Sequence, residues 1–215
     1  MASSSSSMAE PDASFVPQTA IPSPGNAYYP AAPMVTPHLQ FVLLAPFETC
    51  YEIPNIQGTG VSRSVVNIIG GTVGGPQIKG KVLEGSGADW AFKIDGEKIY
   101  YELDARYTLL VFDPTLPENK QEKHYVMVNA KGLYRPGPGV PGFEAEGSMG
   151  GQTQKELEWF SHLKFEASGK GPFNWMSGMV ANGVMSGHDG NVIIDVWRLT
   201  NFPGVEVENF PKVVT

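Results

Sequence analysis

Between Leu39 and Leu199 the chain is a succession of short apolar runs, each stopped by Gly, Pro or Asn before it reaches the length of a stable helix. LQFVLLA (39–45), DWAFKI (89–94), HYVMVNAKG (124–132) and NVIIDVWRL (191–199) are typical. Their β-branched and aromatic residues favour a pleated, half-buried surface. The punctuation is dense because 25 glycines and 18 prolines are spread over 215 residues. Such a pattern predicts an antiparallel meander that closes into a barrel or a sandwich. One short helix is expected at TQKELEWF (153–160), where Thr153 is a candidate N-cap and the acidic residues fall early.

Residues 1–36 differ in kind. They are rich in Ser, Pro and Ala, carry almost no charge and show no periodicity. A segment of this composition buries too little to offset its ordering entropy, so a disordered tail is expected, or an arm in which Tyr28, Tyr29 and Pro30 fold back on the domain. The domain itself is expected over residues 37–215. YRPGPGVPGFEAEGSMGG (134–151) reads as a long loop, either a lid or a disordered segment. DPTLPENKQEK (113–123) reads as a solvated hairpin end. GTGVSR (58–63) and GGTVGG (70–75) read as bulges and tight turns that help a sheet curl.

Composition removes several function classes. A net charge of −7 without a Lys/Arg cluster argues against nucleic acid. No apolar stretch reaches the ~18 residues of a membrane-spanning helix. The start, MASSSSSMAEPDASF, has neither a basic segment nor an apolar one, so a cytoplasmic protein is expected. The single cysteine, Cys50, rules out an internal disulfide. It lies in no catalytic-cysteine signature, although a Cys–His nucleophile stays formally open. There is no CxxC, HExxH, G-x-G-x-x-G or P-loop pattern, so neither a metal nor a nucleotide cofactor is expected.

The segment IYYELDARYTLLVF (99–112) separates two faces at period two. One reads Tyr101, Leu103, Ala105, Tyr107, Leu109. The other reads Tyr100, Glu102, Asp104, Arg106, Thr108. The charged face lies in water, with Asp104 and Arg106 as a weak surface pair, or it lines a barrel lumen, where the pair could orient a carbonyl or stabilise developing charge. His162, Lys164 and Glu166 share one face of FSHLKFEA (160–167), and Ile193, Asp195 and Trp197 lie together in NVIIDVWRL. His162 is a candidate acid/base because its ordinary pKa lies near neutrality.

An ordered series of residues carries a family resemblance. Gly58, Gly60 and Arg63 are followed by GGTVGGP (70–76), GKVL (80–83), GADW (87–90) and LDARY (103–107), then by Phe165-Glu166 and Asn174-Trp175. Over roughly residues 37–200 the chain resembles the family known as domain of unknown function 3237, small proteins of bacteria and fungi. It departs from the family pattern after LDARY, where Phe112-Asp113-Pro114 replaces an Asp-Asp-Gly turn. The resemblance implies an all-β fold: a single antiparallel β-barrel, closed or nearly closed, similar in outline to allene oxide cyclase, dirigent proteins and lipocalins. It also favours the lumen for Asp104 and Arg106.

On that basis the candidate catalytic residues are Asp104, Arg106, His162 and Glu166, and the candidate substrate-binding residues are Asp89, Trp90, Arg63, Tyr100, Asn129 and Trp175. Tyr101 and Tyr107 are further candidate walls, on the face opposite Arg106. The expected function is a cofactor-independent enzyme of secondary metabolism. It would be a cyclase, isomerase or dehydratase, or a pericyclase such as a Diels–Alderase, acting on a polyketide- or terpenoid-like molecule. The alternatives are a small-molecule carrier and a structural, oligomeric module; a homodimer is compatible with each. The expected partner is a small hydrophobic organic substrate.

Overall fold

The computed structural model describes residues 34–46, 50–94, 100–140, 153–188 and 191–200. The chain divides into two units, Met1–Ala32 and Pro33–Thr215, and all described residues belong to the second. Of the tail expected over 1–36, residues 1–33 lie outside the described residues and Met34–Thr36 already belong to a strand; most of the proposed lid, residues 141–151, also lies outside.

Eleven strands form one sheet: β1 (Met34–Leu44), β2 (Cys50–Ile53), β3 (Ser62–Ile68), β4 (Gly70–Gly75), β5 (Ile78–Val82), β6 (Gly87–Ile94), β7 (Tyr100–Phe112), β8 (His124–Pro136), β9 (Leu157–Ala167), β10 (Ala181–His188) and β11 (Asn191–Thr200). The order β7-β5-β4-β1-β11-β10-β9-β8 returns to β7 through a long β7–β8 ladder, so eight strands close a barrel. All its pairings are antiparallel. The expected all-β barrel is the fold.

β7 forks. Its second half, Leu109–Phe112, pairs with β5 inside the barrel. Its first half, Tyr100–Arg106, pairs instead with β6. β3 and β2 follow β6 outward, so three strands extend the wall as a flange.

Side-chain alternation explains most of these strands. Along β9, Leu157, Trp159, Ser161, Leu163 and Phe165 are buried while every intervening residue is exposed. This corrects the expected helix at 153–160. Thr153 does meet Glu156: its backbone N–H and its hydroxyl both bond the Glu156 carboxylate, at 2.9 and 2.8 Å. That contact makes a single turn, after which the period-two row takes the chain into the barrel. Short 3-10 turns occur at Glu118–Lys120 and Asn174–Gly178 instead.

GGTVGG (70–75) is also corrected, from turns to strand β4. Glycine suits it because β1 passes close by. A Cβ on Gly71, whose φ is +140°, would lie 2.2 Å from the Val42 carbonyl oxygen. The loop expected from residue 134 starts later, since Tyr134–Pro136 complete β8.

One half of the barrel is packed solid. Phe41 stacks on Phe165 at 6.4 Å and meets Tyr107 edge-on at 6.2 Å. Leu109, Val111, Val126, Val128 and Leu163 fill the space around them. Each such side chain contributes about 1.5–3 kcal/mol by leaving water. Phe173 and Met176, both buried, pack into this core from the Asn174–Gly178 turn, and Ser177 holds that turn to the Ala167 amide at 3.0 Å.

Candidate active site

The inward rows change character along the barrel. Lining of an open pocket begins at Tyr107 on β7, Ala130 on β8, Ser161 on β9, Ile194 on β11 and Leu43 on β1. The next inward residues, Leu109, Val128, Leu163, Val196 and Phe41, belong to the packed half. Tyr107 is therefore part of the pocket floor. The room comes from small inward side chains, among them Ser64, Ala91, Ala105 and Ala130. The cavity is about 110 Å³. An apolar cavity of roughly 150 Å³ holds benzene, so this smaller one takes at most one small ring.

The flange supplies the acid. Cys50, Val66, Asp89 and Ala105 are successive partners across β2, β3, β6 and β7, and all four line the pocket. Asp89 is the only carboxyl among the described lining residues, and no Lys, Arg or His accompanies it there. Its Oδ1 accepts the Asp104 backbone N–H at 3.0 Å. Burial pushes its pKa up to about 7; the Asp104 amide opposes the shift and the nearby Asp104 charge adds to it. Asp89 is thus divided between acid and base at neutral pH.

Tyr107 is one residue pair further along β7. Burial, with the Asp89 charge as a second cause, raises its pKa, so its hydroxyl stays protonated. Among the described residues, neither the Tyr107 hydroxyl nor the Ser161 hydroxyl has a hydrogen-bond partner, although both are buried. The Cys50 thiol is likewise raised, by burial and then by Glu52 and Asp89, which works against a nucleophilic thiolate.

Arg63 lies on the face of β3 opposite the lining residue Ser64. The β6–β7 ladder pairs Asp89 with Ala105 and resumes at Phe92 with Glu102. Between them the Trp90 carbonyl accepts from the Arg63 guanidinium at 3.0 Å, and Arg63 lies over the Phe92 ring at 3.7 Å.

Of the ten residues expected from sequence, only Asp89 lines this pocket. The lumen placement of Asp104 and Arg106 is corrected: both lie on the outer face, paired at 3.2 Å, with Lys131 3.5 Å from the same Asp104 oxygen. Their strand turns its apolar row inward, because burying Tyr101, Leu103 and Tyr107 is favourable and burying the charged row is costly. His162 and Glu166 are exposed on the outside of β9, so the expected four-residue catalytic group is not assembled in the barrel. Asn129 faces outward between Arg106 and Lys164. Tyr100 starts β7 on its outer row. Trp90 borders a separate outer groove with Asn67, Ile69 and Glu84. Trp175 packs partly buried against the core in the Asn174–Gly178 turn.

Tyr101 and Tyr107, named as candidate walls, do line the pocket. Ser161 and Trp159 were missed, although a serine within the apolar row Leu157, Trp159, Leu163, Phe165 is a legible sign of an inward polar position. Among the described residues, no cluster of three or more His, Cys, Asp or Glu side chains is placed to hold a metal ion, and no helix is long and apolar enough to cross a membrane.

Residues 37–199 match the model of a family described as "Protein of unknown function (DUF3237)". Among solved structures, a β-barrel-like protein of Acinetobacter baumannii superimposes with a TM-score of 0.60 at 23% identity, covering 80% of this chain and 99% of its own. A conserved protein of unknown function from Rhodopseudomonas palustris gives 0.58 at 23% identity, covering 78% and 98%. A protein of unknown function from Clostridium acetobutylicum gives 0.57 at 18% identity, covering 79% and 98%. These likenesses establish the fold. A comparison with curated proteins finds no match.

Proposed function

The chain belongs to the DUF3237 family of proteins of unknown function, and from its pocket we propose that it is a cofactor-independent acid/base enzyme acting on a small, largely apolar molecule of secondary metabolism. The carrying observation is Asp89, a partly buried carboxyl with a pKa of about 7 in an apolar pocket that contains no partner cation among the described residues. A carboxylate base together with a protonated phenol that stabilises the enolate oxygen is a known arrangement for cofactor-free enolisation.

The reaction class is isomerisation, cyclisation or dehydration through an enol. The Asp89 carboxylate removes a proton from carbon next to a carbonyl. The C–H electron pair becomes the new C=C bond, and the carbonyl π pair moves to oxygen, where the Tyr107 hydroxyl donates a hydrogen bond. Returning the proton from Asp89 to a different carbon completes an isomerisation with no net gain or loss. Apolar walls exclude water from the reactive enolate.

The test is to incubate the full chain with a panel of small cyclic ketones and enones in deuterium oxide and follow α-deuteration by NMR. Wild type should exchange these positions well above the buffer rate, and Asp89→Asn should lose at least about 100-fold, the scale of general-base catalysis. Saturable binding with no exchange would make the protein a carrier and overturn the enzyme reading.

A further inference from the structure

Resting on the reading of Asp89 as base, we infer that the substrate is a neutral, single-ring ketone or enone that enters carbonyl-first, its apolar substituent trailing from the opposite side of the ring. Four observations converge. The cavity of about 110 Å³ is smaller than the roughly 150 Å³ that holds benzene, which limits a guest to one small ring and excludes a fused system. No Lys, Arg or His lines it among the described residues, and Asp89 adds negative charge, so carboxylates and phosphates would lose hydration without compensation. The Tyr107 and Ser161 hydroxyls are buried and unpartnered among the described residues, and a carbonyl oxygen is an acceptor that needs such donors.

The fourth observation is direction. Tyr107 and Ser161 stand at the floor, next to the packed half, where the lining stops, and Asp89 stands opposite Ala105, one inward position above Tyr107. Ala45, Trp159 and Val192 line the other end, close to the strand ends Leu44, Leu157 and Asn191. The polar groups therefore meet the leading end of a ligand and apolar residues surround its tail.

Calorimetric titration of the full chain tests this with five probes on one skeleton. They are cyclohexanone with a propyl group opposite the carbonyl, its isomer with the propyl group beside the carbonyl, propylcyclohexane, and the carboxylate and amine analogues of the first. The first ketone should bind about 5- to 10-fold more tightly than either its isomer or the hydrocarbon, the scale of one buried hydrogen bond. The carboxylate should not bind. Tyr107→Phe should erase the ketone's advantage and leave the hydrocarbon unchanged; if that variant does not fold, the wild-type series decides alone. Preference for the amine, the carboxylate or the adjacent isomer overturns the inference. So does an undiminished ketone affinity in Tyr107→Phe. α-Deuteration of a compound with one of those preferences would leave the catalytic reading standing and remove only this ligand class. Ketone selectivity without α-deuteration would do the reverse.

Discussion

Asp89 Oδ1 accepts the backbone N–H of Asp104 at 3.0 Å, so one acid of the GADW and LDARY motifs anchors the other's main chain while their carboxylates face opposite sides of the wall. The inner carboxylate is enclosed by apolar residues and is pushed toward neutrality. The outer one is paired with Arg106 and Lys131. Their chemistry differs because their surroundings do.

The raised pKa of Asp89 sets a pH dependence of stability. The folded state holds its proton up to about pH 7, whereas the unfolded chain releases it near 3.8. Between those values the native state binds more protons, so its stability falls as pH rises, then levels off above about pH 7. Asp89→Asn keeps an acceptor for the Asp104 amide and removes the titration. Thermal melts across this range should show the wild type losing stability and the variant flat. At neutral pH the variant should be more stable by on the order of 3–4 kcal/mol, the linkage value of a shift from 3.8 to about 7.

Filling the pocket should separate folding from binding. Ala130 is buried at the floor level, and Ala130→Leu projects three more carbons into empty space. The variant should melt within a few degrees of wild type and should not bind the propyl-bearing cyclohexanone in calorimetry. A collapse of the fold would mean that the cavity is smaller than its lining indicates.

The outer pair should be dispensable. Arg106 is about half exposed. Arg106→Gln and Asp104→Asn should each change stability by no more than about 1 kcal/mol, and Arg106→Gln should leave α-deuteration as in wild type. A large loss of exchange in Arg106→Gln, with the fold intact by circular dichroism, would return chemistry to the outside of the barrel.

Gly87 opens GADW, and a Cβ there would lie 1.8 Å from the Arg106 carbonyl oxygen and 2.7 Å from the Tyr107 Cα. Gly87→Ala must push β6 away from β7 beside the Asp89–Tyr107 pair. Urea unfolding should show a loss of at least about 2 kcal/mol, and exchange activity should fall more than stability alone explains.

The barrel was legible because alternation and turn residues are local signals. Along β7 the two faces were also legible, and the preference of apolar rows for the interior by itself favoured water for Asp104 and Arg106. The family resemblance pulled them toward the lumen, since motif charges suggest chemistry without saying which side of a wall they occupy. Asp89 shows the converse. In GADWAFKI its neighbours do not declare an inward row, and only the long-range pairing of β3, β6 and β7 turns it into the pocket. Strand β4 was illegible for a related reason: it is paired on both sides, yet four of its six residues are glycines that carry no side-chain information. The helix expected at 153–160 shows a correct local contact, Thr153 with Glu156, overruled within a few residues by pairing with β8.

The fork of β7 has a consequence for how such a protein can diversify. The ring of hydrogen bonds that closes the barrel runs through β5, and the packed half sits behind Tyr107. Ser64, Val66, Asp89 and Ala91 stand on a spur that the ring does not need for closure. Mutational drift on the spur can exchange one small guest for another while the eight-stranded ring is inherited unchanged.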